Sequence, residues 1–486
     1  MPLSERTVTS ELSNDYTLPD YQPEIRRLLY IGSTVLPPAK YVGGGNVELD
    51  GTVDYQILYI GGDGELHTAP LSASYGVHVP MENPSAFDLN EGVSVFANVQ
   101  AENLTARVSA PRKLTVRCRM RSSVTAYANM PMGEKSSGTV DPASLCRLEK
   151  ETKCADWASG RSEILELSEE LPLHDPELRV IGANGAVHVQ ETSCREGEIV
   201  ARGEIFLKVL YTVGGDLPQT EVRKIPFEGT VEFEDASHNM ASCAVTGCVS
   251  EIALEVEENA VLCRIQMILE ARTGCNESIP YTADLYSTEN PCRTQYADFE
   301  VPVVLPAVNG NLSQSERLSA SEKGIPDGAR VVDVYPVASI DHCEAKDGKY
   351  IFTGQSRYVL ICEKDGEYSA TEILLPLRYE ADGCDLPLKN ADAHATVVSC
   401  RAAVNGSTLE LDGELSISAS MTGSEPIRVL SEAEFSPAQA KTSRDLVLCY
   451  PSPDDSVWSV AKRYMVTPDR ISGDPATDAY LVIQGA

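Results

Sequence analysis

The sequence predicts an all-β chain of three repeated sandwich- or barrel-like modules, followed by a small βααβ module near the C-terminal end. Three observations support this prediction. One strand pattern occurs three times at nearly equal intervals, turn residues recur about every ten positions, and no long segment has the 3.6-residue period of an amphipathic helix. The length of 486 residues is enough for about three or four domains.

The repeated pattern is GTVDYQILY at 51–59, GEIFLKVLY at 203–211 and GQSRYVLIC at 354–362. Apolar residues fall at every second position of each copy: Val53, Tyr55, Ile57 and Tyr59; Ile205, Leu207, Val209 and Tyr211; Tyr358, Leu360 and Cys362. A period of two with one apolar face is typical of a half-buried β-strand. The leading glycines, Gly51, Gly203 and Gly354, favour a β-bulge or a close backbone approach.

Two further features recur around this strand. An L-P-x-x-x-P-E element precedes it at Leu18 and at Leu171, and a reduced form begins at Ile325. A second alternating strand follows it, at 114–120, 261–269 and 409–418. The repeats therefore predict modules at 1–132, 162–286 and 315–436, connected by segments 133–161 and 287–314. About seven or more strands are expected in each module.

The C-terminal segment, 442–486, has a different pattern. A short apolar strand at 446–450 precedes a predicted helix with Asp455 at its N-cap. Apolar residues follow at helical spacing: Val457, Val460, Ala461 and Tyr464. A second helix is predicted to begin at Pro468 after a Thr467 cap, and a strand at 480–484 ends the module.

The charge of the chain restricts its partners. Lys and Arg number 40 and Asp and Glu number 72, so the net charge is −32. Such a chain repels nucleic acids and anionic membrane surfaces, whereas a basic protein partner, or simply solubility, fits this charge. No apolar leader follows the first charges and no run of 18 apolar residues exists, so we expect a cytoplasmic protein without membrane insertion.

The 14 cysteines contain no C-x-x-C motif. Cys118, Cys263 and Cys400 lie in strand-like runs, and Cys243 and Cys248 form the closest pair. In a cytoplasm most would be reduced and would act as small buried apolar residues. A zinc site or a disulfide framework is the alternative.

No catalytic signature is visible. The sequence lacks H-x-x-x-H, H-E-x-x-H, G-x-S-x-G, a P-loop and a dinucleotide-binding glycine fingerprint. GGDG at 61–64 follows a strand and predicts a hairpin turn. We therefore expect a protein that is not an enzyme and has no cofactor and no metal site; a hydrolase without a recognisable motif is the weaker alternative.

The C-terminal segment PDDSVWSVAKRY resembles the opening of a LysM module. Modules of that family bind N-acetylglucosamine chains of peptidoglycan or chitin. The resemblance implies a binding site at the first loop and helix, with Asp455, Ser456, Val457 and Trp458 as its candidate residues. Trp458 has two interpretations: it stacks on a sugar or anchors a protein partner, or it packs the small core of the module.

The repeated modules resemble the SPOCS domain of SipL-like spore-coat morphogenesis proteins of Firmicutes. The L-P-x-x-x-P-E element, the strand ending in Leu-Tyr and KIPFEG at 224–229 carry the resemblance, together with the order of SPOCS repeats before a LysM module. The resemblance implies a non-enzymatic scaffold of coat assembly in the mother-cell cytoplasm, at the forespore surface. It also implies a coat protein partner such as stage IV sporulation protein A. The alternative is a cell-envelope protein that binds peptidoglycan through the LysM-like module.

Overall fold

The computed structural model describes residues 2–81, 93–128, 135–137, 140–159, 162–173, 175, 177–195, 197–233, 242–257, 260–437 and 446–485. Most of these residues lie in β-strands, which confirms the all-β prediction. None of the helices in these ranges is both long enough and apolar enough to cross a membrane. Pro176 of the second proline element and residues 442–445 lie outside the described ranges.

The strands of module 1 are β1 (Pro2–Thr17), β2 (Ile25–Val35), β3 (Ala39–Gly43), β4 (Asn46–Gly61), β5 (Leu66–Pro80), β6 (Val93–Ala110) and β7 (Lys113–Ala128). β8 (Lys135–Ser137), a 3-10 turn (Pro142–Ser144) and β9 (Leu145–Ser159) follow. Module 2 contains β10 (Glu163–Leu171), β11 (Leu178–Arg195), β12 (Glu198–Val213), β13 (Gln219–Glu232), β14 (Ser242–Val256) and β15 (Val261–Ser287).

Module 3 contains β16 (Cys292–Ser319), β17 (Arg330–Lys346), β18 (Lys349–Lys364), β19 (Glu367–Asp382), β20 (Leu388–Asn405) and β21 (Thr408–Phe435). The tail contains β22 (Leu446–Cys449), α1 (Val457–Tyr464), a 3-10 turn (Pro468–Arg470), β23 (Ile471–Ser472) and β24 (Leu481–Gln484). β15 and β16 run past the boundaries expected at 286 and 315, so most of segment 287–314 is strand.

Each module is built around two sheets whose central strands pair antiparallel in the same order; β9 also pairs with β15, and β8 pairs with β21 in parallel. One sheet has the repeated strand at its centre: β2-β4-β3 with β5 also paired to β4, β11-β12-β13, and β17-β18-β19. The other has the second alternating strand at its centre: β1-β7-β6, β10-β15-β14 and β16-β21-β20. Segments alike in sequence therefore occupy the same place in each module.

The core of each module lies between its two sheets. The apolar face predicted for β4 is buried there, as are the matching faces of β12 and β18, with Tyr211 only half-buried. Leu18, Leu171 and Ile325, which mark the proline element, are buried in the same three cores. Alternation fixes this register, because a slip by one residue would turn the apolar face away from the core.

Glycine is required at the start of the repeated strand in modules 2 and 3. Gly203 lies opposite a bulge on β11 and Gly354 opposite a bulge on β17. A Cβ on either glycine would come within 2.0 Å of a backbone carbonyl oxygen, that of His188 or of Ser339. The expected bulge and close backbone approach are thus confirmed at these two positions.

Near its C-terminal end, each repeated strand is also buried on the face turned away from its own module core. One hydrophobic cluster covers these three ends. Leu58, Leu210 and Ile361 hold matching positions on β4, β12 and β18 and meet in this cluster. The neighbouring strands are bulged at Leu29, Ile181 and Val332, and these three residues join the same cluster. The three modules therefore share a core, which the expectation of half-buried strands did not include.

Hydrogen bonds repeat between successive modules. Gln56 Nε2 donates to Ala183 O at 3.0 Å, and at the matching place Lys208 Nζ donates to Val334 O at 2.6 Å. Thr68 and Thr220, also matching residues, donate to backbone carbonyls of β11 and β17. Tyr335 of module 3 stacks on Tyr30 of module 1, with ring centroids 4.2 Å apart. Each module thus contacts both others.

The chain divides into two compact units. Unit 1 contains residues 1–129, 156–275 and 304–423, and so the cores of the three modules. Unit 2 contains residues 130–155, 276–303 and 424–486, and its cores are built from the ends of β15, β16 and β21 and from the tail.

The tail differs from its prediction in two places. Ser456, not Asp455, is the N-cap of α1, because Ser456 and Ser459 exchange side-chain to backbone hydrogen bonds in a capping box. The second predicted helix is only a 3-10 turn of three residues, and Thr467 makes no side-chain cap. The chain is extended from Ile471, which pairs with β24. The 3-10 turn is therefore too short to carry the apolar face of an amphipathic helix.

The cysteines follow the prediction in part. Cys118 and Cys263 are buried free thiols and Cys400 is a half-buried one. Cys194 and Cys243, which are 49 residues apart in sequence, form a disulfide that joins β11 to β14. This pair links the two sheets of module 2, so sequence spacing gave no signal for it.

Candidate functional site

The four candidate residues of the LysM-like segment lie together at the start of α1 in unit 2. Ser456 caps the helix. The Asp455 carboxylate accepts hydrogen bonds from the Arg463 guanidinium and from the Ser452 backbone N–H at 2.9 Å. Val457 and Trp458 are half-buried. Asp455 and Ser456 therefore already have partners that stabilise the loop and the helix.

Trp458 is held by residues of β15. Its Nε1–H donates to Asp284 Oδ2 at 2.8 Å, and its ring meets the edge of Tyr286 with centroids 4.9 Å apart. Tyr286 is buried, and its hydroxyl donates to Val466 O at 2.7 Å. The indole thus packs within unit 2, and its hydrogen-bonding capacity is used inside the chain.

Asp284 is the centre of a charged network. Lys462 Nζ lies 2.6 Å from Asp284 Oδ1, and the Tyr296 hydroxyl donates to the same oxygen at 2.7 Å. Burial works to raise the pKa of Asp284, but hydrogen bonds from Lys462, Trp458 and Tyr296 hold it below its ordinary value. An ionised Asp284 therefore fixes α1 to the ends of β15 and β16 in unit 2.

The tail also presents an exposed apolar strand. Among the residues that the structure describes, β22 pairs only with β24 and forms the edge of the sheet β22-β24-β23. Leu446, Leu448 and Tyr450 are 59%, 52% and 74% exposed, whereas Cys449 between them is buried. Tyr480, just before the β24 partner of Cys449, is 51% exposed. Large apolar side chains with this exposure beside an unpaired edge are typical of a contact surface.

A second candidate site is a cavity of about 260 Å³ in unit 1, which we call the central cavity. All three modules line it. Thr125 of β7, Arg272 of β15 and Ser420 of β21 each lie eleven positions after the first buried residue of their strand, Leu114, Val261 or Leu409. Equivalent positions of the three modules therefore line one space.

A polar network crosses the central cavity. The Asp392 carboxylate of module 3 pairs with the Arg272 guanidinium of module 2 and accepts a hydrogen bond from Asn98 Nδ2 of module 1 at 2.9 Å. Arg272 also donates to Ser420 Oγ at 3.2 Å. Burial works to raise the pKa of Asp392, but Arg272, His394 and Asn98 hold it well below its ordinary value. One ionised carboxylate thus joins side chains of all three modules.

Aromatic rings form one wall of the central cavity. Phe96, Tyr127 and Trp157 pack together with centroids 5.8–6.1 Å apart. Trp157 occupies the space beside Gly274, where a Cβ would lie 2.8 Å from the indole ring. The Trp157 Nε1–H is buried and has no hydrogen-bond partner among the described residues. No sequence pattern predicted this wall: Phe96 and Tyr127 meet across the paired strands β6 and β7, and Trp157 comes from β9.

Residues 61–64 form the expected hairpin turn. Beside it, Asp63, Glu65 and His67 place one possible ligand atom each within 4.8 Å of one another. These groups also have partners within the chain: Arg179 Nη2 lies 2.8 Å from Glu65, and His67 Nε2 lies 2.9 Å from Asp63. The three side chains are therefore held by contacts within the chain.

Comparison with known proteins identifies one domain. Residues 178–257 match the family model described as SipL, SPOCS domain. The matched segment covers β11, β12, β13 and β14 of module 2. No curated protein matches the chain.

Proposed function

We propose that the protein is a non-enzymatic scaffold of spore-coat assembly, in which three SPOCS-like modules carry a tail that docks to a coat morphogenetic protein. The SPOCS-domain match at 178–257 supports a role in sporulation. The exposed apolar edge strand β22 carries the docking part of the proposal. The site of action is the mother-cell side of the forespore surface, and stage IV sporulation protein A is the proposed partner.

The chemistry of β22 favours a β-strand of the partner as its occupant. The four residues of the strand, Leu446–Cys449, carry no charge that would oppose pairing. A strand added to this edge would bond to its unpaired backbone groups and cover the side chains of Leu446 and Leu448. Three modules joined to one tail would also hold several weak contacts together and so raise the overall affinity.

The LysM-like start of the tail has a supporting part in this proposal. Trp458 and Asp455 hold α1 in place, so that β22 and β24 form a rigid platform. Both side chains then have a structural role, and the tail binds protein rather than glycan. A peptidoglycan-binding role would instead need Trp458 to exchange its bond to Asp284 for a sugar contact.

The test uses purified chain and purified stage IV sporulation protein A in a binding titration. We expect the double substitution Leu446→Ser and Leu448→Ser to weaken binding at least about tenfold. Each substitution removes an apolar side chain whose burial in the complex is worth about 1–2 kcal/mol. The control is Val222→Ser with Leu374→Ser, two residues that are each 53% exposed on strands of unit 1. Its affinity should change less than about twofold.

Two results would overturn the proposal. One is equal binding by the β22 variant and the control, which would remove β22 from the interface. The other is co-sedimentation of the chain with purified peptidoglycan that disappears on Trp458→Ala, with no binding to the coat protein. That result would make the tail a glycan-binding module.

A further inference from the structure

We propose that the central cavity binds a small uncharged polyhydroxylated ligand, of the monosaccharide or cyclic-polyol class. The proposal rests on the groups that line the cavity, on the pairing of its charges, on one buried donor without a partner, and on its size. It concerns unit 1 alone and is independent of the role proposed for the tail.

The cavity wall is rich in uncharged groups that both donate and accept hydrogen bonds. Six of them are Thr7, Asn98, Gln100, Ser123, Thr125 and Asn390. A ligand hydroxyl both donates and accepts, so it is matched by hydroxyl and amide groups rather than by groups of one kind. The aromatic wall adds apolar surface for the C–H faces of a ring.

The half-buried charges of the cavity are paired within the protein, whereas Glu5, Arg6 and Asp341, which also line it, are exposed to solvent. Arg272 is bound to Asp392, and Arg121 Nη1 lies 3.6 Å from Glu102. A charged ligand in the half-buried part of the cavity would compete with these pairs and lose its hydration there. An uncharged ligand can accept from the remaining Arg272 N–H groups without breaking the pair, since a guanidinium has five donors.

Trp157 supplies a donor that needs an acceptor. Its side chain lines the cavity and is 7% exposed, and its Nε1–H has no partner in the described part of the chain. A buried donor without a partner is costly, so such groups are usually satisfied by water or by a ligand. A ligand hydroxyl would satisfy the indole N–H.

The volume suits a ligand of one ring. About 260 Å³ is the space of roughly nine water molecules at about 30 Å³ each. Ligand cavities usually measure about 300–1,000 Å³, so this one is small. Because all three modules contribute to it, the site exists only when the modules are assembled. That requirement gives a reason for keeping three diverged copies in one chain.

The two tryptophans give a direct assay. In a Trp458→Phe background, tryptophan fluorescence reports on Trp157 alone. We would titrate this full-length variant with glucose, galactose, N-acetylglucosamine and myo-inositol, and with citrate and arginine as charged comparisons. A Trp157→Phe variant that retains Trp458 serves to detect any response that originates in the tail.

The expected result is a saturable fluorescence change with at least one uncharged probe below about 10 mM, and none with the charged ones. Gln100→Ala should weaken that binding about threefold to tenfold, because it removes one hydrogen-bonding group from the wall. Gln355→Ala, an exposed strand residue outside the cavity, is the matched control and should leave the affinity unchanged.

Three results would overturn the proposal: no saturable response to any uncharged probe, a response to citrate or arginine instead, or equal affinity of the Gln100→Ala and Gln355→Ala variants. The melting temperature of each variant is measured alongside. A Gln100→Ala variant that fails to fold is replaced by Thr125→Val, which removes a hydroxyl at nearly constant volume and carries the same expectation.

Discussion

The buried ion pair between modules 2 and 3 gives a prediction of large effect. Lys208 Nζ lies 2.6 Å from Asp333 Oδ1 and 4.3 Å from the centre of the Tyr335 ring. The side chains are only 15% and 2% exposed. Lys208→Met keeps most of the volume and removes the charge, so the buried Asp333 carboxylate loses its cation and keeps the hydrogen bond from the Val334 N–H.

Removing one partner of a buried pair costs about 3–5 kcal/mol. The matching residue in module 1 provides the comparison, since Gln56 makes a neutral hydrogen bond at the equivalent place. Gln56→Met should cost only about 0.5–1.5 kcal/mol. The double variant Lys208→Met with Asp333→Leu should recover most of the lost stability, because no unpaired charge remains.

The assay is urea unfolding followed by circular dichroism, with the four proteins compared at equal concentration. We expect a lower midpoint for Lys208→Met than for Gln56→Met and a recovered midpoint for the double variant. Equal midpoints for the two single variants would refute the reasoning, because they would show that the pair is not desolvated between the modules.

Three further predictions concern single positions. Gly203→Ala should destabilise the protein by about 1–3 kcal/mol, since its Cβ meets a backbone carbonyl, whereas Gly43→Ala, with no atom near its Cβ, should not; urea midpoints test both. Trp458→Phe should keep the ring packing but lose the bond to Asp284, which costs about 1–2 kcal/mol and speeds proteolysis of the tail. The pKa of Asp284 is lowered in the folded protein, so the stability that its ionised form contributes is complete above pH 3.8 and is lost as the pH falls through the folded pKa. The Trp458 fluorescence of a Trp157→Phe variant should report this loss, and Asp284→Asn should remove the transition.

The centre of each sheet could be predicted from the sequence alone. Tyr55 and Ile57 are buried on the face that alternation indicates, because a two-residue period has a direct physical meaning in a strand. Leu58 and Ile361 break the alternation, and their burial depends on neighbouring modules. Contacts between modules join residues far apart in sequence, so no local sequence pattern predicts them.

The candidate sites show the same difference between local and distant information. The start of α1 was predicted within one residue, and the cap moved from Asp455 to Ser456 because side-chain hydrogen bonds decide between adjacent polar residues. The central cavity was not predicted. The residues that Trp157 and Arg272 contact there are far away in sequence. Only a comparison of equivalent strand positions in the three modules, counted from the first buried residue, would have indicated that Arg272 faces the other modules.

The most direct test of the proposed function is the position of the protein in sporulating cells of its own organism. A fluorescent fusion of the full chain should form a shell around the forespore, and so should the fusion that carries Val222→Ser and Leu374→Ser. The fusion that carries Leu446→Ser and Leu448→Ser should be diffuse in the mother cell. A diffuse signal from the unaltered chain, or a shell formed by the β22 variant, would contradict the account.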